Sequence, residues 1–147
     1  MLFWGYLAVE ARRLDARFPS LPALVVPLGY LLFAAGASVV MTCVGFFVVR
    51  GRGTAAPFDP PRVFVPTGPY RYVRNPMYLG AAFVLAGVGL LQRSPGIVAL
   101  SLVLLGTMHL FVVFIEEPGL DERFGETYEN YKRVVRRWIP RRPPRAS

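Results

Sequence analysis

Three long apolar runs dominate the pattern of the chain. Residues 21–49 contain no charged side chain, residues 77–91 are uniformly apolar, and residues 95–115 are interrupted only by His109 and a few hydroxyl groups. A run of about 20 apolar residues crosses a hydrocarbon core of roughly 30 Å as a helix. The pattern therefore predicts an all-α integral membrane protein with three transmembrane helices, at about 21–49, 76–92 and 95–115.

Short segments at both ends add to this frame. Residues 1–9 are apolar but too short to span, so they predict an interfacial helix or the remnant of a further span, and no basic region precedes them as in a secretory signal. Residues 120–135 carry apolar side chains at three- and four-residue spacing with charges between them. This predicts a C-terminal amphipathic helix with its Lys and Arg toward lipid headgroups, followed by Trp138 as an interfacial anchor.

The link between the second and third spans, residues 92–96, is very short. The two spans must therefore form an antiparallel hairpin. That hairpin brings residues 74–78, at the start of the second span, close to Glu116 and Glu117 at the end of the third.

Composition agrees with a membrane protein in one domain. The 147 residues are 54% apolar yet carry a net charge of +8, so apolar and basic residues are segregated along the chain. A soluble nucleic-acid-binding protein would interleave its arginines with polar surface, so no nucleic-acid partner is expected. The single cysteine, Cys43, excludes an intramolecular disulfide and a multi-cysteine metal site, and no metal is predicted.

The basic residues also predict orientation. With three spans, the loop at residues 50–76 and the tail lie on one side and hold thirteen Arg and Lys, against four on the other. The basic side is expected to be cytoplasmic. We therefore expect a cell (inner) membrane protein whose two polar segments, residues 51–78 and 116–140, both face the cytoplasm.

The first polar segment has the chemistry of a binding site. A Gly- and Pro-rich loop at residues 51–66 precedes Asn75 and Pro76, which predict a helix start whose free N–H groups favour an anion. Arg74 adds a planar donor fork suited to carboxylate. Tyrosines at the same depth offer flat faces, although Tyr72, like Arg71, is equally well explained as a membrane anchor.

The second polar segment supplies anions. Glu116 and Glu117 end the third span, where the negative end of the helix dipole disfavours them. Either a salt bridge to Arg74 or ligand binding would account for them. His109, seven residues before Glu116 and on the same face of a regular helix, is either a hydrogen-bonding residue between helices or a polar group lining a cavity.

Together these motifs resemble a known superfamily. The pattern runs from Gly68-Pro69-Tyr70 through Arg74-Asn75-Pro76 and Tyr78, then Glu116-Glu117 and Phe124-Gly125, to Tyr128 and Tyr131. It resembles the isoprenylcysteine carboxyl methyltransferase and phospholipid methyltransferase superfamily. The resemblance implies an integral membrane enzyme that transfers a methyl group from S-adenosylmethionine to a lipophilic acceptor from the bilayer.

The resemblance also implies site residues. The cofactor-binding positions carried over from the motif are Val65, Tyr70, Asn75, Pro76, Met77, Tyr78 and Glu116. Arg74 is the candidate for orienting a carboxylate, and His109 or Glu117 for removing a proton from an amine or hydroxyl acceptor. Two positions depart from the family pattern: Asn75 replaces a frequent His, and Val112 replaces an Arg thought to engage a substrate carboxylate.

Two other functions fit the same sequence. A membrane reductase of the sterol-reductase-like type would bind NADPH, although no extra basic site for the 2′-phosphate is evident. A non-catalytic membrane assembly protein would use its basic tail on lipid headgroups. The sequence does not indicate which acceptor is methylated or what oligomer forms.

Overall fold

A computed structural model of the protein describes residues 2–46 and 67–140. Within these residues the structure contains helices and turns and no strand, as the apolar pattern predicts. The helices are α1 (Leu2–Leu14), α2 (Val26–Phe46), α3 (Pro76–Leu91), α4 (Pro95–Phe111), α5 (Glu117–Phe124) and α6 (Glu126–Val134). Short 3₁₀ turns occupy Asp15–Arg17, Ala23–Val25 and Gly68–Arg71, and a π-helical turn, Val112–Glu116, joins α4 to α5.

Two helical stretches are long and apolar enough to cross a membrane, Ala23–Phe46 and Pro95–Phe124. The helix over the second apolar run, Pro76–Leu91, is shorter. Large apolar side chains on these helices are exposed in the isolated chain, as expected for surfaces that face lipid. They include Tyr30, Leu31, Met41, Leu102, Phe114 and Ile115.

The described chain separates into two compact units. The first comprises residues up to Ser38 together with Gly80–Thr107, and the second comprises Val39–Leu79 together with Met108 onward.

In the first unit, the link between α3 and α4 is held by the segment that precedes α2. Asp15 accepts a hydrogen bond from the backbone N–H of Gly96 at 2.8 Å, and the Arg93 guanidinium donates to the carbonyl of Leu21 at 2.5 Å. Ser94 caps α4, since its hydroxyl accepts the N–H of Ile97 at 3.0 Å. The N-terminal helix predicted at residues 1–9 extends to Leu14.

Close helix packing in this unit depends on glycine. A Cβ placed on Gly36 of α2 would lie 2.6 Å from the carbonyl oxygen of Gly80 and 2.8 Å from the nitrogen of Val84. A Cβ on Gly87 of α3 would lie 2.6 Å from the nitrogen of Phe33. Small residues at such positions let membrane helices pack backbone to backbone.

Gly36→Ala is therefore expected to destabilise the protein by about 1–3 kcal/mol, because the added methyl group meets backbone that cannot move aside. Gly45→Ala is the matched control on the same helix, since a Cβ there meets nothing within 4 Å. The control should be neutral or stabilising by up to about 1 kcal/mol, through helix propensity. Thermal unfolding in detergent measures both variants, and equal melting temperatures would contradict this packing.

The C-terminal region differs from the single amphipathic helix predicted over residues 120–135. It forms two helices, α5 and α6, separated at Gly125, whose φ of 49° and ψ of −127° are unfavourable for a residue with a side chain. Lys132 of α6 bonds Asp121 of α5 at 2.6 Å, so this cation pairs with protein instead of pointing to headgroups. Sequence spacing alone did not reveal the break, because the apolar positions continue through it.

Candidate functional site

The second unit contains the predicted site residues that the structure describes. They are Tyr70, Arg74, Asn75, Pro76, Met77, Tyr78, His109, Glu116 and Glu117. Val65 lies outside the described residues. Asn75 directly precedes the first residue of α3, Pro76, as the predicted helix start requires. Asn75, Pro76 and Glu117 are buried, whereas Met77 and Tyr78 are partly exposed.

Glu117 is the centre of an ion-pair cluster. Arg137 binds it with two parallel hydrogen bonds, Nε to Oε1 and Nη2 to Oε2, each 2.8 Å. Nη1 of Arg74 lies 2.9 Å from Oε1. Tyr128 is hydrogen-bonded to Arg74. Both carboxylate oxygens of Glu117 are therefore engaged by guanidinium groups, which leaves this residue poorly suited to remove a proton.

Glu116 has a different environment from its neighbour. The hydroxyl of Tyr78 donates to its Oε2 at 2.9 Å. Within the part of the chain that the structure describes, no cation pairs with Glu116 and Oε1 accepts no hydrogen bond. A half-buried carboxylate with one oxygen free is suited to a ligand that carries positive charge or donor groups.

Arg74 likewise keeps donor capacity. Its side chain is only 12% exposed, and its Nε and Nη1 are buried without a hydrogen-bond partner among the described residues. Nη1 is close to Glu117 but is not aligned for a hydrogen bond. The hydroxyl of Thr67 is also buried and unpartnered within the same ranges. Buried polar groups without partners are rare in folded proteins, so Nε of Arg74 and the hydroxyl of Thr67 are candidate donors to a ligand oxygen.

The π-helical turn Val112–Glu116 separates the two glutamates from α4. In it the N–H of Glu117 bonds to the carbonyl of Val112, five residues back. Pro118 explains this turn, because its ring would clash with the carbonyl of Phe114 in a regular α-helix. A π turn adds about one residue to the helical register. The expectation that His109 and Glu116 share a face, which assumed a regular helix, is therefore wrong.

His109 contacts the tail. The indole N–H of Trp138 donates to its Nδ1 at 3.0 Å, and the two ring centroids are 6.1 Å apart. The partner of Nδ1 therefore lies in the tail and not on a neighbouring span, and Trp138 is not only an interfacial anchor. This pair was not predictable from the sequence, because 29 residues separate its members.

The segment after α6, residues 135–138, holds several of these groups together. It lies within the second polar segment, residues 116–140, which was expected to contribute to cofactor binding, but none of its residues was predicted as a site residue. Its backbone is extended at Val135. The carbonyl of Arg136 accepts the N–H of Arg74 at 2.9 Å, and the carbonyl of Arg137 accepts the side-chain amide of Asn75 at 3.3 Å. We call residues 135–138 the clasp. From the sequence, Arg136 and Arg137 served only to predict the orientation of the chain in the membrane.

Tyrosines complete the second unit. The hydroxyl of Tyr131 donates to the carbonyl of Tyr70 at 2.7 Å, and the phenol of Tyr70 is hydrogen-bonded to Cys43. Burial raises the pKa of Tyr70 and of Tyr131, and raises the pKa of Tyr128 to about 12. These phenols therefore remain neutral hydrogen-bond donors across the physiological pH range.

Comparison with known proteins agrees with this architecture. The family model described as phospholipid methyltransferase matches residues 24–127. Among solved structures, the chain is similar to the eukaryotic intramembrane Ras methyltransferase, isoprenylcysteine carboxyl methyltransferase, with a TM-score of 0.67 and 20% sequence identity. The match covers 95% of this chain and 51% of that one, so the chain spans about half its length.

At this identity the structural likeness establishes the fold alone. A search of curated proteins finds no match. The family model, however, covers more than half of the chain and includes the first polar segment and the beginning of the second, as far as residue 127. It confirms the resemblance inferred from the motifs. The protein therefore belongs to the phospholipid methyltransferase family, within a superfamily of integral membrane methyltransferases.

Proposed function

We propose that the protein transfers a methyl group from S-adenosylmethionine to a lipophilic acceptor in the membrane. The observation that carries the proposal is the unequal environment of the two glutamates. Glu117 is neutralised by Arg74 and Arg137, whereas Glu116 keeps a free carboxylate oxygen beside Tyr78. An uncompensated anion at this position suits a ligand with cationic groups, and S-adenosylmethionine carries a sulfonium and an ammonium.

The other groups fit the rest of that cofactor. The unpartnered Nε–H of Arg74 and the hydroxyl of Thr67 are suited to its carboxylate, and Tyr70 and Tyr78 to its aromatic base. When bound, the cofactor would supply an electrophilic methyl group. In this proposal Glu116 binds, Arg74 orients, and Glu117 holds Arg74 and Arg137 in place instead of acting as a base.

To catalyse this transfer, the protein mainly has to align the acceptor with the methyl group of the cofactor. Displacement at a methyl carbon needs the acceptor in line with the breaking bond and no covalent help from side chains. A carboxylate acceptor needs no base, which agrees with a site where the buried carboxylate Glu117 is already neutralised. We further propose three spans, with the site and the tail in the cytoplasm, from the bias of Arg and Lys.

Methyl transfer from labelled S-adenosylmethionine tests the proposal. Purified protein in vesicles should move the label into the organic phase with either of two acceptors, a farnesylcysteine with a free carboxylate or phosphatidylethanolamine. NADPH should neither bind nor compete. Saturable NADPH binding with no labelled lipid would favour the reductase. A folded protein that binds neither cofactor would favour the assembly role.

A further inference from the structure

His109 is the single histidine of the chain, and its contact with Trp138 determines the tautomer of its ring as well as its position. An indole N–H can only donate, so Nδ1 of His109 must be the unprotonated acceptor in this hydrogen bond. The neutral ring then carries its proton on Nε2. In that tautomer Nε2 is a donor, and the only ring lone pair is already used by Trp138.

Trp138 is held firmly enough to impose this tautomer. It directly follows Arg137, which makes two hydrogen bonds of 2.8 Å to the buried Glu117 and accepts the Asn75 amide through its carbonyl. The preceding residue, Arg136, accepts the N–H of Arg74. The clasp is thus tied to the start of α3 and to α5 immediately before it presents the indole.

The Nε2–H group itself is free to serve a ligand. His109 is exposed, and its Nε2 makes no hydrogen bond within residues 2–46 and 67–140. Its neighbour on α4, Leu110, is 56% exposed, as expected for a surface that meets lipid. A ring donor that no described residue uses is available to an oxygen acceptor on a molecule that approaches from the bilayer.

We infer that Trp138 is a positioning residue that fixes His109 as a hydrogen-bond donor to an anionic oxygen of the methyl acceptor, and that His109 is not the base. This inference rests on the proposed function. The oxygen belongs either to the carboxylate of a prenylated cysteine or to the phosphodiester of a phospholipid.

Methyl transfer to either acceptor is complete without any proton being moved to His109. A lone pair of the acceptor forms the new bond to the methyl carbon, and the sulfur of S-adenosylmethionine keeps the electron pair of the broken bond. A carboxylate acceptor releases no proton. An amine acceptor releases its proton to water before it attacks.

The tautomer can be measured directly, because one histidine gives one pair of ring nitrogen signals. In ¹⁵N-histidine-labelled protein in micelles, the wild type should show the Nε2–H tautomer alone. Trp138→Phe removes the donor and should add the Nδ1–H tautomer. A wild-type signal from the Nδ1–H form, or a mixture unchanged by Trp138→Phe, would overturn the inference even if methyl transfer were established.

Steady-state kinetics with the two acceptors shows whether His109 acts as a hydrogen-bond donor or as a base. His109→Leu should raise KM for the acceptor by about ten- to a hundredfold, the effect of losing a hydrogen bond to a charged group. His109→Gln places an amide donor near Nε2 and should recover a large part of that loss, although it has no basicity. Thr107→Val is the control, since among the described residues the Thr107 hydroxyl bonds only to the carbonyl of Val103 on its own helix.

The outcomes distinguish this inference from the proposed function. S-adenosylmethionine binding should be the same in all four variants and in the wild type. The acceptor whose KM responds to His109→Leu identifies the source of the oxygen. If His109→Gln is as inactive as His109→Leu, with kcat lost and KM unchanged, His109 is a base and the inference is wrong. If neither acceptor is methylated by protein that binds the cofactor, the assigned acceptor class is wrong.

Discussion

Glu117→Ala is expected to destabilise the protein by about 3–5 kcal/mol, which is close to the whole stability of many small domains. Glu117 is 8% exposed and is the shared partner of Arg74 and Arg137. Removing it would leave two guanidinium groups facing each other with no anion between them. Most of the cost comes from Arg74, whose side chain is 12% exposed, since the 30% exposed side chain of Arg137 is partly solvated.

The same change would release the clasp, because Arg137 makes its two side-chain hydrogen bonds to Glu117. Glu129→Ala is the matched control, since Glu129 pairs with Arg133 at 3.9 Å on an exposed helix surface. That control should change stability by no more than about 0.5 kcal/mol. Unfolding in detergent measures both, and a Glu117→Ala protein as stable as Glu129→Ala would show that the cluster is not structural.

Glu116→Gln is expected to weaken S-adenosylmethionine binding by about ten- to a hundredfold while leaving the fold intact. The amide keeps the shape of the side chain and can still accept from Tyr78, but it loses the charge that a cationic ligand requires. Because no cation among the described residues pairs with Glu116, its neutralisation strands no positive charge. The substitutions should therefore show that Glu116 binds the cofactor and that Glu117 stabilises the fold.

Tyr78→Phe is the companion variant. It removes the hydroxyl that holds Oε2 of Glu116 and should weaken cofactor binding less than Glu116→Gln, since the carboxylate remains. Calorimetric titration of the three proteins measures the order. Equal affinity in the wild type and Glu116→Gln would remove the main support for the proposed cofactor site.

The sequence predicted the features that local chemistry determines. Uncharged runs predicted the helices, and Asn75 and Pro76 predicted the start of α3. The short link predicted that α3 lies close to α4, and a Cβ on Gly89 would indeed lie 2.8 Å from the nitrogen of Val98. The motif order gave the family, which the family model confirms. These features depend on neighbours in the chain and on the cost of burying charge in lipid, so they are visible without coordinates.

Features that depend on long-range contacts were not predictable. Nothing in Glu116-Glu117 says which glutamate is neutralised, because the answer depends on Arg137, 20 residues beyond Glu117. The π turn changes which residues share a face of the helix, and only Pro118 hinted at it. The clasp works largely through the backbone carbonyls of Arg136 and Arg137, which carry no sequence signature.

The central claim is that this membrane protein binds S-adenosylmethionine at Glu116. Equilibrium titration of the purified, folded wild type with S-adenosylmethionine, with NADPH titrated in parallel, tests it most directly. We expect saturable binding of one S-adenosylmethionine per chain, weakened about ten- to a hundredfold by Glu116→Gln, and no binding of NADPH. A folded wild type that binds no S-adenosylmethionine, or that binds NADPH in its place, would contradict it.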